Sequence, residues 1–348
     1  MEKDFVISCP IPITDRKNIV LGHGSGGRLT AQLIHDVFLP AFDNEILRKM
    51  DDQAVLEIGG ARIAFTADSF VVTPLFFPGG DIGKLAVNGT VNDLAMSGAK
   101  PLYLSVSFII EEGFELEELS RVTQSMAEAA REAGVAIVTG DTKVVNRGSA
   151  DKLFINTSGV GLAPEGIVIS ASKARPGDAI ILSGTIGDHG MAVFSKREGL
   201  EFEGSILSDT VALYSLVEAM LEAGEIHTLR DPTRGGLGTS LYEIAGAANI
   251  GIEIEANSVP VREDVKAACE ILGLDALFVA NEGKLVAFVE PSSADAVLSA
   301  MRRHPQGRDA ALIGYAVSKH PGMVLLKTEV GGTRLVDLPF TEQLPRIC

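Results

Sequence analysis

The sequence predicts a mixed α/β (α+β) protein with two domains and a short tail. Three observations carry that expectation. Strand-like and helix-like runs alternate in both halves of the chain, the pattern of layered α/β or α+β domains. The chain has 348 residues, more than the roughly 100 to 200 of one ordinary domain. A polar, turn-rich seam, Ser172-Lys173-Ala174-Arg175-Pro176-Gly177-Asp178, separates the two alternations. The expected parts are a lead-in over 1–45, a first domain over 46–172, a second over 173–337 and a mobile tail over 338–348.

The lead-in carries Pro10, Pro12 and Pro40 and the cluster Gly22-His23-Gly24-Ser25-Gly26-Gly27. Ala54–Ile58 and Arg62–Thr66 flank Gly59-Gly60 and read as a hairpin. A helix follows near 81–97, with Ile82, Leu85, Ala86 and Gly89 on one face. Leu102–Ile110 is a strand, and a helix near 115–133 ends at Gly134. Strand Val135–Val138 runs into Thr139-Gly140-Asp141, and Leu153–Leu162 is a further strand. After the seam comes strand Ala179–Leu182. Helices are expected near 187–198, 209–222, 235–248, 262–272 and 291–303, and strands near 251–255, 284–289, 311–317 and 322–328.

Composition narrows the function. Hydrophobic residues make up 46% but aromatics only 5%, with no Trp, so Ala, Val, Ile and Leu must build a large core. A net charge of −16 argues against a nucleic-acid partner, whose phosphates are bound by excess Lys and Arg. It suits an enzyme that holds metal with carboxylates. The three cysteines, Cys9, Cys269 and Cys348, form no CxxC pair or zinc pattern and read as reduced thiols of a cytoplasmic protein. The start, Met1-Glu2-Lys3-Asp4, is acidic and unlike a secretory signal, and no run of about 18 apolar residues predicts a membrane span.

Acidic residues recur at element ends: Asp51-Asp52, Asp68, Asp93 beside Asn92, Glu111 and Asp141. One such Asp is ordinary turn chemistry. Together they can converge above one sheet edge, where like charges raise each other's pKa unless cations neutralise them. Mg²⁺, which takes oxygen ligands and bridges to phosphates, is the natural partner. The Gly22–Gly27 cluster can wrap phosphates with backbone N–H groups or serve only as a loop. It is neither a Walker loop nor a dinucleotide fingerprint. Asp231-Pro232-Thr233-Arg234-Gly235-Gly236 leads into a helix, capped by Thr233 or Asp231; its N–H groups and Arg234 could hold an anion, or it is simply a helix start. His189, in Gly187-Asp188-His189-Gly190, is a ligand contact or a structural side chain, and Glu282 is a turn carboxylate unless the fold brings it to the site.

The chain closes on Leu344-Pro345-Arg346-Ile347-Cys348 after a stretch with no helix or strand period. Pro345 favours extension before it, so Cys348 reads as a thiol on an arm presented to another site, or as a frayed end. From Leu338 the arm reaches at most roughly 35 Å.

Asp51-Asp52-Gln53-Ala54, Thr66-Ala67-Asp68-Ser69, Val91-Asn92-Asp93-Leu94-Ala95-Met96-Ser97-Gly98-Ala99 and Thr139-Gly140-Asp141-Thr142-Lys143 resemble the ATP-binding half of the aminoimidazole ribonucleotide synthetase superfamily. Asp231-Pro232-Thr233-Arg234-Gly235-Gly236 resembles its second domain. The whole chain, from His23-Gly24-Ser25-Gly26-Gly27 to Pro345-Arg346-Ile347-Cys348, is similar to the carbamoyl dehydratases of nickel–iron hydrogenase maturation. The resemblance implies a two-domain PurM-like fold with an ATP-binding first domain whose sheet forms a homodimer. It implies that a carbamoyltransferase, HypF, loads a carboxamide onto Cys348. ATP then drives its dehydration to a thiocyanate, and the nitrile passes to iron on a HypC–HypD complex. It assigns ATP to Gly24, Gly26, Gly27, Asp68, Asn92, Asp93, Thr139, Gly140, Asp141 and Arg234, and Mg²⁺ to Asp51, Asp52, Asp68, Asp93 and Asp141. Lys143 and Glu282 go to the amide end, one of them as base. Two rivals stand beside this reading. A selenophosphate synthetase-like phosphotransferase would want a nucleophile near the glycine cluster, but Cys9 lies well before Gly22 and lacks a Cys-Gly-Lys setting. A non-catalytic nucleotide-binding scaffold would not need the many Asp motifs.

Overall fold

The computed structural model describes residues 18–200, 206–340, 343–344 and 346–348. Cys9 and the prolines at 10, 12 and 345 lie outside the described residues.

The chain enters through a helical run: α1 (Arg28–Leu33), a π turn at Ile34–Phe38 and α2 (Leu39–Phe42). The lead-in is therefore helical, which the sequence did not announce. Val37, Phe38 and Phe42 stay exposed and only Leu29 is buried, so the run has no buried stripe to impose a period.

Next comes the anticipated hairpin, β1 (Ala54–Ile58) and β2 (Ala61–Phe70). Gly59 and Gly60 both have positive φ, as a two-residue I′ turn requires. A ribbon of β3 (Phe76–Phe77) and β4 (Gly80–Asp81) precedes α3 (Ile82–Ala95), whose cap Asp81 accepts the N–H groups of Gly83 and Lys84 at 2.7 and 3.1 Å. There follow β5 (Lys100–Glu111), α4 (Leu116–Ala133), β6 (Ala136–Val145) and β7 (Leu153–Leu162). Gly134, in the left-handed region, stops α4 as expected. The strand order is β1-β2-β7-β5-β6; only β5 and β6 pair in parallel, across α4. α3 is buried on nearly every side, because it lies under this sheet and also bonds to the second domain.

The second domain holds β8 (Ala179–Leu182), α5 (Asp188–Glu198), α6 (Tyr214–Ala223), β9 (Ile226–Arg230), α7 (Gly236–Ala248), β10 (Gly251–Glu255), α8 (Glu263–Leu272), β11 (Val286–Val289), α9 (Ala294–Arg303), β12 (Ala311–Val317), β13 (Val324–Lys327) and β14 (Thr333–Val336). Its sheet runs β14-β13-β10-β12-β8-β11-β9, with β10 and β13 parallel. β9 and β14 were not expected. β9 is buried along its whole length but carries His227 and Arg230, which break an apolar run. β14 is an exposed edge with one buried residue, Val336.

Two strands run longer than expected, and the tail does not stand free. β6 does not stop at residue 138 but runs to Val145, so Thr139-Gly140-Asp141 lies inside a strand. β2 likewise extends through Asp68. The tail is docked. Leu344 and Ile347 are 3% and 1% exposed and belong to the same apolar core as Leu85, Leu104 and Ile155.

Candidate functional site

The two domains meet over a cluster of buried charges. Arg230, at the end of β9, pairs with Asp52 and donates to the Met50 carbonyl at 3.1 Å. Glu243 of α7 stands 3.7 Å away on the other side of Arg230. Burial pushes Asp52 up to about 6 against the pull of Arg230. Asp51 turns the other way: its Oδ1 accepts the Ser170 hydroxyl at 3.0 Å and the Ala171 N–H at 2.9 Å.

Asp68 on β2 and Asp93 on α3 share a hydrogen bond, and Thr66 donates to Asp93 Oδ2 at 2.8 Å. Asp231 and Glu282 face them from the second domain. All four carboxyls are raised, first by burial; Asp93 is raised further by Asp68, Asp231 and Asp52, Asp231 by Asp52 and Asp68, and Glu282 by Asp231, Asp209 and Asp68. Asp231 is 5% and Glu282 3% exposed, and Asp231 Oδ2 and Glu282 Oε1 have no hydrogen-bond partner. Orphaned buried carboxylate oxygens are costly and mark a place built for a ligand. Arg234 is the cation whose charge lowers Asp68 and Glu282.

The glycine cluster closes one side. Gly26 has a positive φ and its missing Cβ would lie 3.1 Å from the Arg234 backbone; at Gly27 it would lie 2.6 Å from the Pro339 carbonyl. Arg234 donates to the Gly24 carbonyl at 3.4 Å, and the Arg28 N–H to that of Pro339 at 3.1 Å. Glycine here answers close approach, to the second domain and to the base of the tail.

From Glu282 a chain of contacts leads to the terminal cysteine. The Glu282 N–H donates to Asp209 Oδ1 at 3.0 Å, and Asp209 pairs with Lys284 at 3.0 Å. Burial alone would raise Asp209, but Lys284, His189 and that N–H hold it below its usual value. His189, next to it, meets the Ile347 carbonyl at 3.0 Å. The Val71 N–H donates to the Cys348 carbonyl at 3.1 Å, the Thr73 N–H to that of Arg346 at 3.4 Å, and Arg346 pairs with Asp151. Cys348 itself is half-buried.

The structure thus brings together Asp52, Asp68, Asp93, Arg234 and Glu282 of the expected site residues, with Gly24, Gly26 and Gly27 at Arg234. Others go elsewhere. Asn92 is 1% exposed; its amide donates to the carbonyls of Val211 and Glu282 and accepts the Leu213 N–H, so it rivets the domains together. Gly140 pairs with Val106, Val106 with Thr157, and Thr157 with Asp68. Three strand spacings, roughly 14 Å, therefore separate Asp141 from the row of Asp68 within one chain. Asp141 pairs with Lys143 at 2.5 Å on exposed β6, beside Thr139. Gly140 serves its strand: a Cβ there would collide with the Val106 carbonyl. Neither Thr233 nor Asp231 caps α7; its cap is Gly235, at φ 79°. Glu111 instead accepts the N–H groups of Gly148 and Lys152. Sequence reasoning missed Asp209 and Glu243, and read Asp231 only as a helix start.

Among the described residues no three His, Cys, Asp or Glu side chains form one metal-ligand group. Magnesium needs fewer: one or two carboxylates, waters and substrate phosphates. Asp68 and Asp93, half-buried and close enough to affect each other's protons, fit that demand, with the orphaned oxygen of Asp231 facing them. No helix among the described residues is long and apolar enough to cross a membrane.

Residues 50–163 match the family model of the AIR synthase related protein, N-terminal domain, and 175–326 that of its C-terminal domain. The chain is 56% identical over 332 residues to carbamoyl dehydratase HypE of Rhizobium leguminosarum bv. viciae, covering 95% of each chain. To the protein of that name from Escherichia coli K12 it is 50% identical over 336 residues, 95% of this chain and 99% of the other. Among solved structures it superposes on a HypE–HypF complex with a TM-score of 0.84 at 53% identity, covering 88% of this chain and 99% of that one. A HypE structure in complex with ATP gives 0.81 at 50% identity, covering 95% and 100%. A thiamine monophosphate kinase of Aquifex aeolicus, 18% identical over 88% of this chain and 99% of that one, shares the fold at 0.64.

Proposed function

The chain belongs to the carbamoyl dehydratase HypE family of AIR synthase-related enzymes, and from that premise we propose that it uses ATP to dehydrate a carboxamide carried on its own Cys348. One observation supports this most: the terminal segment is seated against the same contact chain that leads, through His189, Asp209 and Glu282, to the buried carboxylates. A thiol carried there meets both a proton acceptor and a nucleotide site.

The chemistry follows from the poor leaving ability of amide oxygen. The carboxamide oxygen attacks the γ-phosphorus of ATP and ADP departs, leaving an S-linked isourea-type phosphate. The N–H protons then leave as the C–O bond breaks, giving the thiocyanate and inorganic phosphate. The net change is ATP and one carboxamide to ADP, phosphate and one nitrile. Phosphoryl transfer is positioning plus charge stabilisation, and a magnesium ion held by Asp68 and Asp93 would neutralise phosphate charge. Arg234, whose charge acts on Asp68 and Glu282, would supply a second cation to the phosphates. Glu282 is the proton acceptor: burial first, then the charges of Asp231, Asp209 and Asp68, raise its carboxyl well above the ordinary value, which makes it a stronger base than a free carboxylate.

Lys143 is assigned to the amide end through a second copy. The outer face of the first sheet exposes Phe65, Tyr103, Ile109 and Leu162, an apolar surface of the kind that homodimers cover. A dimer joined there brings β6, with Thr139, Asp141 and Lys143, against another copy's cleft. HypF supplies the carboxamide, in keeping with the relative solved with HypF. A HypC–HypD iron complex receives the nitrile as cyanide, in the reducing cytoplasm that a terminal thiol requires.

Intact-mass measurement tests the reading. After HypF and carbamoyl phosphate, the peptide ending in Cys348 must gain one carboxamide; after magnesium-ATP it must lose one water. A carboxamide that appears elsewhere, or keeps its water while ATP is consumed, overturns it.

A further inference from the structure

We propose that His189 is a positioning residue for the dehydration step: its Nε2–H grips the peptide that joins Ile347 to Cys348 and so aims the reacting sulfur. This rests on Cys348 as the thiol that carries the carboxamide.

The geometry is tightly specified. His189 opens α5 and is fully buried. The Ile347 carbonyl, 3.0 Å from Nε2, can only accept, so Nε2 carries the hydrogen. The Ser208 hydroxyl, 2.8 Å from Nδ1, then donates, and it accepts the Thr210 N–H in turn at 3.2 Å. That relay fixes the tautomer. Phe77 packs edge-on against the ring at a centroid distance of 5.4 Å. Burial lowers the imidazole and keeps it neutral, though Asp209 pulls the other way.

His189 holds the last peptide of the described chain. The Ile347 carbonyl and the Cys348 N–H belong to one rigid peptide plane. Fixing the oxygen fixes the direction in which the Cys348 Cα leaves that plane. The Val71 N–H holds the other side of Cys348 by its carbonyl. The following turn of α5 has no room for a side chain: a Cβ at Gly190 would stand 2.5 Å from Val279 and 3.4 Å from Leu344. The motif Gly187-Asp188-His189-Gly190 is therefore a cradle for the tail and not for a diffusible ligand.

Glutamine and asparagine separate positioning from filling. His189→Gln keeps an N–H near Nε2, whereas His189→Asn keeps only the reach of Nδ1 toward Ser208. Two readouts apply to the full-length protein. The first is the rate at which iodoacetamide alkylates Cys348 in the resting enzyme, iodide leaving as the S–C bond forms. The second is the rate of water loss from carboxamide-loaded Cys348 under saturating magnesium-ATP. The Asn variant should alkylate about tenfold faster and dehydrate about tenfold slower, the effect of one net hydrogen bond. The Gln variant should lie within about threefold of the native rates. HypF loading, which needs the tail outside, should be no slower in either variant than in the native protein. Equal behaviour of the Gln and Asn variants in both readouts overturns the proposal. If native Cys348 loads but never loses water, the proposed activity fails, while the alkylation contrast still decides whether His189 seats the tail.

Discussion

Replacing Glu282 by Gln removes one proton acceptor and almost nothing else. The side chain is 3% exposed, its Oε1 makes no hydrogen bond, and its backbone contacts to Asp209 and Asn92 survive the change. An amide of the same shape leaves packing intact and ends the repulsion with Asp231, Asp209 and Asp68 that raises the native carboxyl. Apparent stability at pH 8 should therefore be equal to the native value or higher. A positioned general base contributes roughly 10² to 10⁴ in rate, so dehydration should fall by that factor. Carboxamide loading by HypF, which does not use this pocket, should be unchanged. The assay follows both stages by intact mass in a quenched time course, with thermal unfolding as the control. A Glu282→Gln protein that dehydrates loaded Cys348 at the native rate would refute the assignment; one that cannot be loaded would show a structural defect instead.

Further outcomes follow from the same cluster. Asp68, Asp93, Asp231 and Glu282 hold protons more tightly when folded than when unfolded. The unfolded chain thus binds fewer protons, and stability of the nucleotide-free protein should fall as pH rises from the ordinary carboxyl values through the raised ones. A group whose folded value lies one pH unit higher costs about 1.4 kcal/mol above it; magnesium-ATP should flatten the decline seen in unfolding between pH 5 and 8. Asp93→Asn should weaken magnesium-ATP binding by at least about tenfold by calorimetry while leaving the melting temperature unchanged or raised, because it relieves burial of a charge. Lys143→Ala and Cys348→Ala should each be inactive, yet mixed and re-equilibrated they should regain about a quarter of the native dehydration rate if Lys143 acts on the partner's tail. No regain at any mixing ratio would return Lys143 to its own chain or remove it from the site.

How far the sequence could lead depended on how local each signal was. Hairpin β1–β2 and helices α3 and α4 were legible because glycines and apolar periods specify them within a few residues. Asp68 and Asp93 were legible as motif residues, yet their shared hydrogen bond depends on how α3 lies under β2. Asp141 looked equivalent to them in sequence, and only the strand order shows the rows between. Asp231 hid behind a plausible capping role, because the helix begins on Gly235 with a left-handed turn. His189 was ambiguous for the plainest reason: its partner, the Ile347 carbonyl, lies 158 residues away. The tail read as an arm because it has no period of its own; its buried Leu344 and Ile347 find their period in another element's core.

Dehydration through phosphoryl transfer fixes where the carboxamide oxygen goes. Loading Cys348 from carbamoyl phosphate whose carbonyl carries a heavy oxygen isotope, then adding unlabelled magnesium-ATP, follows that atom directly. The phosphate released should carry the heavy oxygen, one atom for each nitrile formed. Unlabelled phosphate, with the isotope appearing in water or retained on the protein, would contradict phosphoryl transfer to the amide oxygen and the dehydration built upon it.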